Sequence, residues 1–130
     1  MPEFIFNYKK RFKSLEVLPD VSVEELNAIY TKTRVAIVPL RSGAGVKGKV
    51  IEAMAKGVPV VGTDIAFEGM PKDEQYLYRG VNDPQSFAEE IIRVYNDNTR
   101  WDELAEFGKQ YVRVNFNKEG MKQVFAGLLK

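Results

Sequence analysis

Hydrophobic positions along the chain follow two periods, and the switches between them outline strands and helices in alternation. Phe4, Phe6 and Tyr8 alternate with polar neighbours, which predicts a short strand; Leu15 to Leu18 predicts another, stopped by Pro19. Ser22 with Glu25 three residues later is a capping-box pattern, and Val23, Leu26, Ile29 and Tyr30 then share one helical face. Residues 34–39 form a near-continuous apolar run, as suits a parallel strand buried on both faces. A glycine loop at 41–45 follows, then a helical stripe of Val46, Val50, Ala53 and Met54 that Gly57 ends in the usual place for a left-handed cap. Residues 59–63 repeat the buried-strand pattern, and Tyr76 to Tyr78 predicts a further short strand.

Asn82-Asp83-Pro84 opens a helix with proline in its first turn, continued by Phe87, Ile91, Val94 and Tyr95. Residues 96–98 interrupt it. A second helix then carries Trp101, Leu104, Ala105, Gly108, Tyr111 and Val112, and a third carries Met121, Val124, Phe125, Leu128 and Leu129. Strands that alternate with helices imply right-handed crossovers and a parallel sheet. The expected fold is α/β: a Rossmann-like parallel sheet of four to five strands, helices on both faces, and helices finishing the chain. Ligands of such sheets sit at the carboxyl ends of the strands. Two segments answer that description, Leu40 to Lys47 and Gly62 to Met70.

A length of 130 residues is one domain's worth, with 45% hydrophobic and 28% charged residues, ordinary for a globular chain. Lys plus Arg is 19 and Asp plus Glu is 18, a net charge of +1, which argues against nucleic acid or a polybasic membrane anchor as partner. Cysteine and histidine are both absent. That removes a thiol nucleophile, disulfides, an imidazole base, a Ser-His-Asp triad and the usual zinc sites. Residues 1–130 are therefore expected to form one cytoplasmic domain, with no metal, no cofactor and no signal peptide.

The chemistry concentrates in strand, glycine loop and helix. Gly43 and Gly45 allow a tight turn and a close approach of backbone to ligand. The helix that follows offers unpaired N–H groups and a positive dipole end, so a phosphate or diphosphate is the natural guest. Arg41, Lys47 and Lys49 add positive charge. Glu52, inside the helix, is able to accept two hydrogen bonds from the vicinal diol of a nucleotide. The loop is neither a dinucleotide fingerprint nor a Walker loop. A plain glycine turn with a Lys49–Glu52 surface ion pair stands as the structural alternative.

The words PLRSGAGVKGKVIEAMAKGVPVVGTDIAFEGM, Pro39 to Met70, and more loosely Val17 to Val38, resemble the nucleotide-sugar-binding domain of retaining glycosyltransferases of the GT-B architecture. The group they look like is the large bacterial one (group 1, family 4-like) that includes many capsule, lipopolysaccharide and cell-wall sugar transferases. The resemblance covers about residues 15 to 97, and its most specific run is Glu52 to Val61. It implies that Glu52 binds the ribose hydroxyls. It also implies that Gly43, Ala44, Gly45 and Val46 lend amides to the donor phosphates or sugar, with Arg41, Lys47 and Lys49 beside the diphosphate. Ala44 stands where the family often has a glutamate for the donor sugar. Thr63, Asp64 and Glu68 form a second ligand-facing loop, either touching the donor or capping the next segment.

The resemblance further implies half of a two-domain enzyme. The acceptor domain and the first strands of the donor domain, with their diphosphate-binding Arg and Lys, have no counterpart in these residues. The donor is a nucleotide-diphosphate sugar whose leaving charge is stabilised by amides and cations. No residue is nominated as catalytic, and the chain alone is expected to be inactive, drawing on an N-terminal acceptor domain or a partner chain, with the whole enzyme at the inner face of the membrane. A homodimer is expected of the isolated chain, because an incomplete sheet leaves edges and apolar faces uncovered. Two other readings stand beside this one. The first is a non-catalytic nucleotide-binding module or degenerate subunit supporting a partner transferase. The second is a flavodoxin-like or receiver-like domain, against which the lack of an acidic cluster at the early strand ends counts. Trp101, Phe107 and Tyr111 read as helix core or a domain contact rather than a sugar-stacking platform.

Overall fold

The computed structural model of the chain describes residues 16, 18 and 20–116. The strand expected at Phe4 to Tyr8, most of that at Leu15 to Leu18, and the helix expected at Met121 to Leu129 lie outside the described residues. Two compact units divide the chain, Met1–Lys32 and Thr33–Lys130.

The first unit holds helix α1, Val23–Lys32. Its capping residue does what the sequence pattern predicts: the Ser22 hydroxyl accepts from Glu25 N at 3.1 Å and donates to the Glu25 carboxylate at 3.2 Å. Glu24 and Glu25 in its first turn and Lys32 in its last complement the helix dipole.

The second unit is built on a βαβ turn of the chain. Strand β1, Ala36–Val38, lies parallel to β2, Val60–Gly62, with Ile37 opposite Val61, and helix α2, Gly48–Ala55, connects them. A parallel pair demands such a crossover, since a tight hairpin reverses the chain. Of the predicted stripe, Val50, Ala53 and Met54 are essentially inaccessible, joined by Ile51; Val46 precedes the helix and is half-buried. Gly57 ends α2 at φ 72°, with Gly57 N on Met54 O at 3.0 Å and Val58 N on Ala53 O at 3.0 Å, the left-handed cap that the glycine predicts. Helices α3, Pro84–Asn96, and α4, Asn98–Asn115, follow with aspartates at both N-caps. Asp83 accepts from Ser86 N at 2.9 Å and Asp97 from Arg100 N at 3.1 Å, each satisfying a first-turn amide. Helix α2 packs on α4 and β2, and α3 packs on the same two elements.

Two parallel strands and four helices make this an α/β arrangement among the described residues. The strand expected at Tyr76 to Tyr78 is a correction: these residues carry no regular structure. The reason lies in what reaches the outer edge of β2. Val60 N donates to the Tyr78 hydroxyl at 3.3 Å, and Val81 N donates to Gly62 O at 2.9 Å, so a side chain and one backbone bond stand where a ladder would. Tyr76 and Tyr78 instead join Phe67, Phe107 and Tyr111 in a ring cluster with centroids 5.3 to 6.0 Å apart. Burial pushes the Tyr76 hydroxyl up to about 12 and raises Tyr78 and Tyr111 as well, so all three stay neutral at ordinary pH. Tyr111 is thus core, and Phe107 is a half-buried member of the same cluster. Trp101 donates its indole N–H to Arg34 O at 2.8 Å, and the Arg34 guanidinium lies 4.7 Å from its ring.

Candidate functional site

The carboxyl ends of β1 and β2 lead into the two segments singled out by the sequence, Leu40 to Lys47 and Gly62 to Met70; Gly62 closes β2, so the second loop is 63–70. Thr63 joins them. It is buried; its amide continues the ladder to Val38 O at 3.4 Å, and its hydroxyl donates to Leu40 O at 2.6 Å. Leu40 begins the glycine loop, so the end of one strand fixes the start of the other strand's loop.

The second loop is a run of tight turns. Ala66 N bonds Thr63 O at 3.0 Å, Phe67 N bonds Asp64 O at 3.2 Å and Glu68 N bonds Ile65 O at 3.3 Å, while Ala66, Phe67 and Met70 are buried beneath. Asp64 is held by Asn82: its amide donates to Asn82 Oδ1 at 3.0 Å and its carboxylate accepts from Asn82 Nδ2 at 2.7 Å. Asp64 is therefore tied to the start of α3.

The glycine loop is built differently. Residues 41–45 are exposed, and Gly43 and Gly45 take φ of 130° and 78°, values that a side chain rarely allows. The loop leans on the second one. Gly69, at φ 80°, lies so close that a Cβ there would sit 3.1 Å from Val46 Cγ2 and 3.6 Å from Gly45 C. From this contact the Glu68 side chain reaches over, and its Oε1 accepts from Gly45 N at 3.2 Å. Lys47 folds back as well, its ammonium donating to Gly45 O at 2.5 Å.

Lys47 is also the N-cap of α2. No side chain caps this helix, no acidic residue stands in its first turn, and Val50 N bonds Lys47 O at 3.1 Å. The positive end of the helix is thus uncompensated by its own residues. One turn in, Glu52 pairs with Lys49 at 3.4 Å, with the lysine side chain 69% exposed and the glutamate 33%. Such an (i, i+3) surface pair is worth only about 0.3–0.5 kcal/mol and yields readily to a ligand. Arg41, with Pro39, Thr63, Asn82, Pro84 and Phe87, lines a cavity of about 220 Å³ at the ends of the two strands.

The structure therefore gathers Arg41, Gly43 to Lys47, Thr63 and Glu68 around one pair of loops. Lys49 stands in the first turn of α2 and Glu52 one turn in, and Asp64 is turned toward Asn82. Pattern reading passed over Asn82 and Phe87 as site neighbours, although Asn82 opens the helix-start signal that brings them there. A larger cavity, about 520 Å³, opens on the outer edge of β2, bounded by Tyr76 to Val81 and by Arg93 and Arg100. It occupies the place where a ladder to β2 is not made, and the Tyr76 hydroxyl and Arg100 Nε are buried without a partner. Among the described residues no three carboxylates gather as a metal would require, and no helix is long and apolar enough to cross a membrane.

The family described as glycosyl transferases group 1 matches residues 7–97. A Klebsiella pneumoniae protein described as "Uncharacterized 44.6 kDa protein in cps region" is 31% identical over 117 residues, which is 90% of this chain and 29% of that relative. The chain thus spans under a third of the length of the curated relative it matches. No solved structure matches it significantly.

Proposed function

The chain belongs to the glycosyl transferases group 1 family, and on that premise we propose that it is the donor-binding part of an enzyme moving a sugar from a nucleotide-diphosphate sugar to a polysaccharide or other glycoconjugate. The observation that carries this reading is the exposed glycine loop running into the uncapped N-terminus of α2. Backbone amides in such a position recognise phosphate oxygens. Gly43, Ala44 and Val46 supply amides to the diphosphate, Arg41 supplies charge, and Lys47 and Lys49 are near enough to move in. Glu52 exchanges Lys49 for the ribose hydroxyls. Thr63 braces the loop through Leu40 O, and Asp64 ties the second loop to the start of α3. The relative's place in a cps region supports polysaccharide synthesis as the setting.

In this reading the wider sheet, the GT-B pairing and the acceptor domain belong to a longer polypeptide or a partner, consistent with a match covering 29% of the relative. Transfer is completed only when that half is present, at the cytoplasmic face where lipid-linked acceptors are presented. Ala44 favours a second reading, a nucleotide-sugar binder that supports another transferase. Isothermal titration with UDP, GDP and the other nucleoside diphosphates tests the shared core of both. Binding of one nucleotide, weakened about tenfold or more in Glu52→Ala, is the expected result for a lost charged hydrogen bond. No binding by any nucleotide, or binding indifferent to Glu52, overturns it.

A further inference from the structure

We infer that Glu68 reads the hydroxyls of the transferred sugar, supplying the carboxylate that the glycine loop itself lacks; this rests on the donor-binding reading above. The loop offers cations and amides at Arg41, Lys47 and Gly43 to Val46, but no side chain of residues 41–47 is a hydrogen-bond acceptor other than the Ser42 hydroxyl. Ala44, at its centre, has only a methyl group to present. The acceptor arrives from the other loop.

Three observations fix it there. The Gly69 backbone is pressed against Val46, with its Cβ position only 3.1 Å from Val46 Cγ2, so residue 68 cannot drift from the loop. Glu68 Oε1 is held by Gly45 N at 3.2 Å, which orients the carboxylate. Its other oxygen has no hydrogen-bond partner among the described residues, and the side chain is exposed. The remaining carboxylates nearby are otherwise engaged, Glu52 with Lys49 and Asp64 with Asn82. Beside Gly45 there is open space: apart from its two chain neighbours, no heavy atom lies within 4 Å of a Cβ placed there.

Chemistry then selects the occupant. An ionised carboxylate accepts hydrogen bonds and donates none. Phosphate oxygens are acceptors of like charge and repel it, so the free oxygen of Glu68 has no use for the diphosphate. Sugar hydroxyls are donors. The transferred sugar is one bridging oxygen away from the terminal phosphate, so a loop that holds the phosphate holds the sugar beside Glu68. The Gly45 amide is accordingly spent on orienting Glu68, and the diphosphate is left to the amides of Gly43, Ala44 and Val46.

The test compares nucleoside diphosphates with their sugar esters. UDP, GDP, UDP-glucose, UDP-galactose and GDP-mannose are titrated calorimetrically into wild type, Glu68→Gln and Glu68→Ala, with melting temperatures measured to confirm that each variant is folded. Wild type binds one sugar ester more tightly than its parent diphosphate. In Glu68→Ala the diphosphate Kd stays within about twofold, while the ester weakens about tenfold, the size of one hydrogen bond to a charged group. Glu68→Gln, which keeps one acceptor oxygen, falls between. Tighter diphosphate binding in Glu68→Ala overturns the inference, because the carboxylate is then a competitor for the phosphate amides. Equal weakening of both ligands overturns it too, since Glu68 is then only a brace. So does a wild type that holds no sugar ester better than its diphosphate. A wild type that binds no nucleotide at all is a different result: it sinks the donor-binding reading first, and this assignment with it.

Discussion

The two loops that leave the parallel strands are made on opposite principles. The loop after β2, residues 63–70, has its own small core of Ala66, Phe67 and Met70 and a chain of turn hydrogen bonds. The loop after β1, residues 40–47, buries none of its side chains fully; it takes its shape from two positive-φ glycines and from what the other loop lends it: the Thr63 hydroxyl, the Gly69 backbone and the Glu68 carboxylate. A loop with few buried contacts lies at the low end of local stability. Rigidity is thus concentrated in one of two neighbours, and the exposed glycine loop is positioned by a loop that is itself part of the core.

This contrast breaks most completely at Phe67, which is 1% exposed. Phe67→Ala removes a fully buried ring from under the second loop and is expected to cost about 3–5 kcal/mol in urea unfolding. Next comes Gly69→Ala, which forces a side chain into φ 80° against Val46; it is expected to cost about 1–2 kcal/mol and to weaken nucleotide binding by spreading the loops. Thr63→Val keeps the shape and removes the hydrogen bond to Leu40 O, and is expected to cost about 1 kcal/mol, more if the carbonyl is left dry. A stability loss in Thr63→Val without any loss of binding would show that the tie is not what positions the glycine loop.

A smaller effect sharpens the contrast from the side of α3, whose first residues border the Arg41 cavity. The Asp83 carboxyl is held below the usual range by the Ser86 amide it accepts from. A lowered folded value means stability that is present above the unfolded pKa of about 3.9 and lost as pH falls through the folded one. Asp83→Ala is therefore expected to lower the melting temperature at pH 7, with the gap to wild type closing in acid. A gap that persists unchanged below pH 3 would contradict the capping role.

Most of the second unit was legible because its signals are local. Val50, Ala53 and Met54 recur at helical spacing before Gly57, the runs around 36–38 and 60–62 are almost purely apolar, and Asp83-Pro84 is a cap followed by a first-turn proline. Apart from Tyr76 to Tyr78, the described elements of this unit stand where the pattern puts them, with ends shifted by a residue or two as at fraying termini. The burial expected on both faces of β1 is a correction: Ile37, at its centre, is 53% exposed, whereas β2 is buried throughout. What escaped the pattern is non-local. Tyr76 and Tyr78 have strand-like alternation, but a hydroxyl takes the Val60 amide before a backbone ladder forms. Glu68 and Gly45 are 23 positions apart, and no periodicity joins them. Lys47, which charge alone would assign to a ligand, turns back on Gly45 O. Glycines at 43 and 45 were visible; which partner would use their freedom was not.

The central claim is that the nucleotide seats on the glycine loop and the first turn of α2. Amide chemical-shift mapping by heteronuclear NMR, with the nucleoside diphosphate that binds, tests it most directly. The account predicts saturable shifts largest at Gly43, Ala44, Val46 and Gly48, with smaller ones at Glu68 and none at Tyr76 to Val81. Shifts concentrated instead around the cavity on the outer edge of β2, with the glycine loop silent, would contradict it.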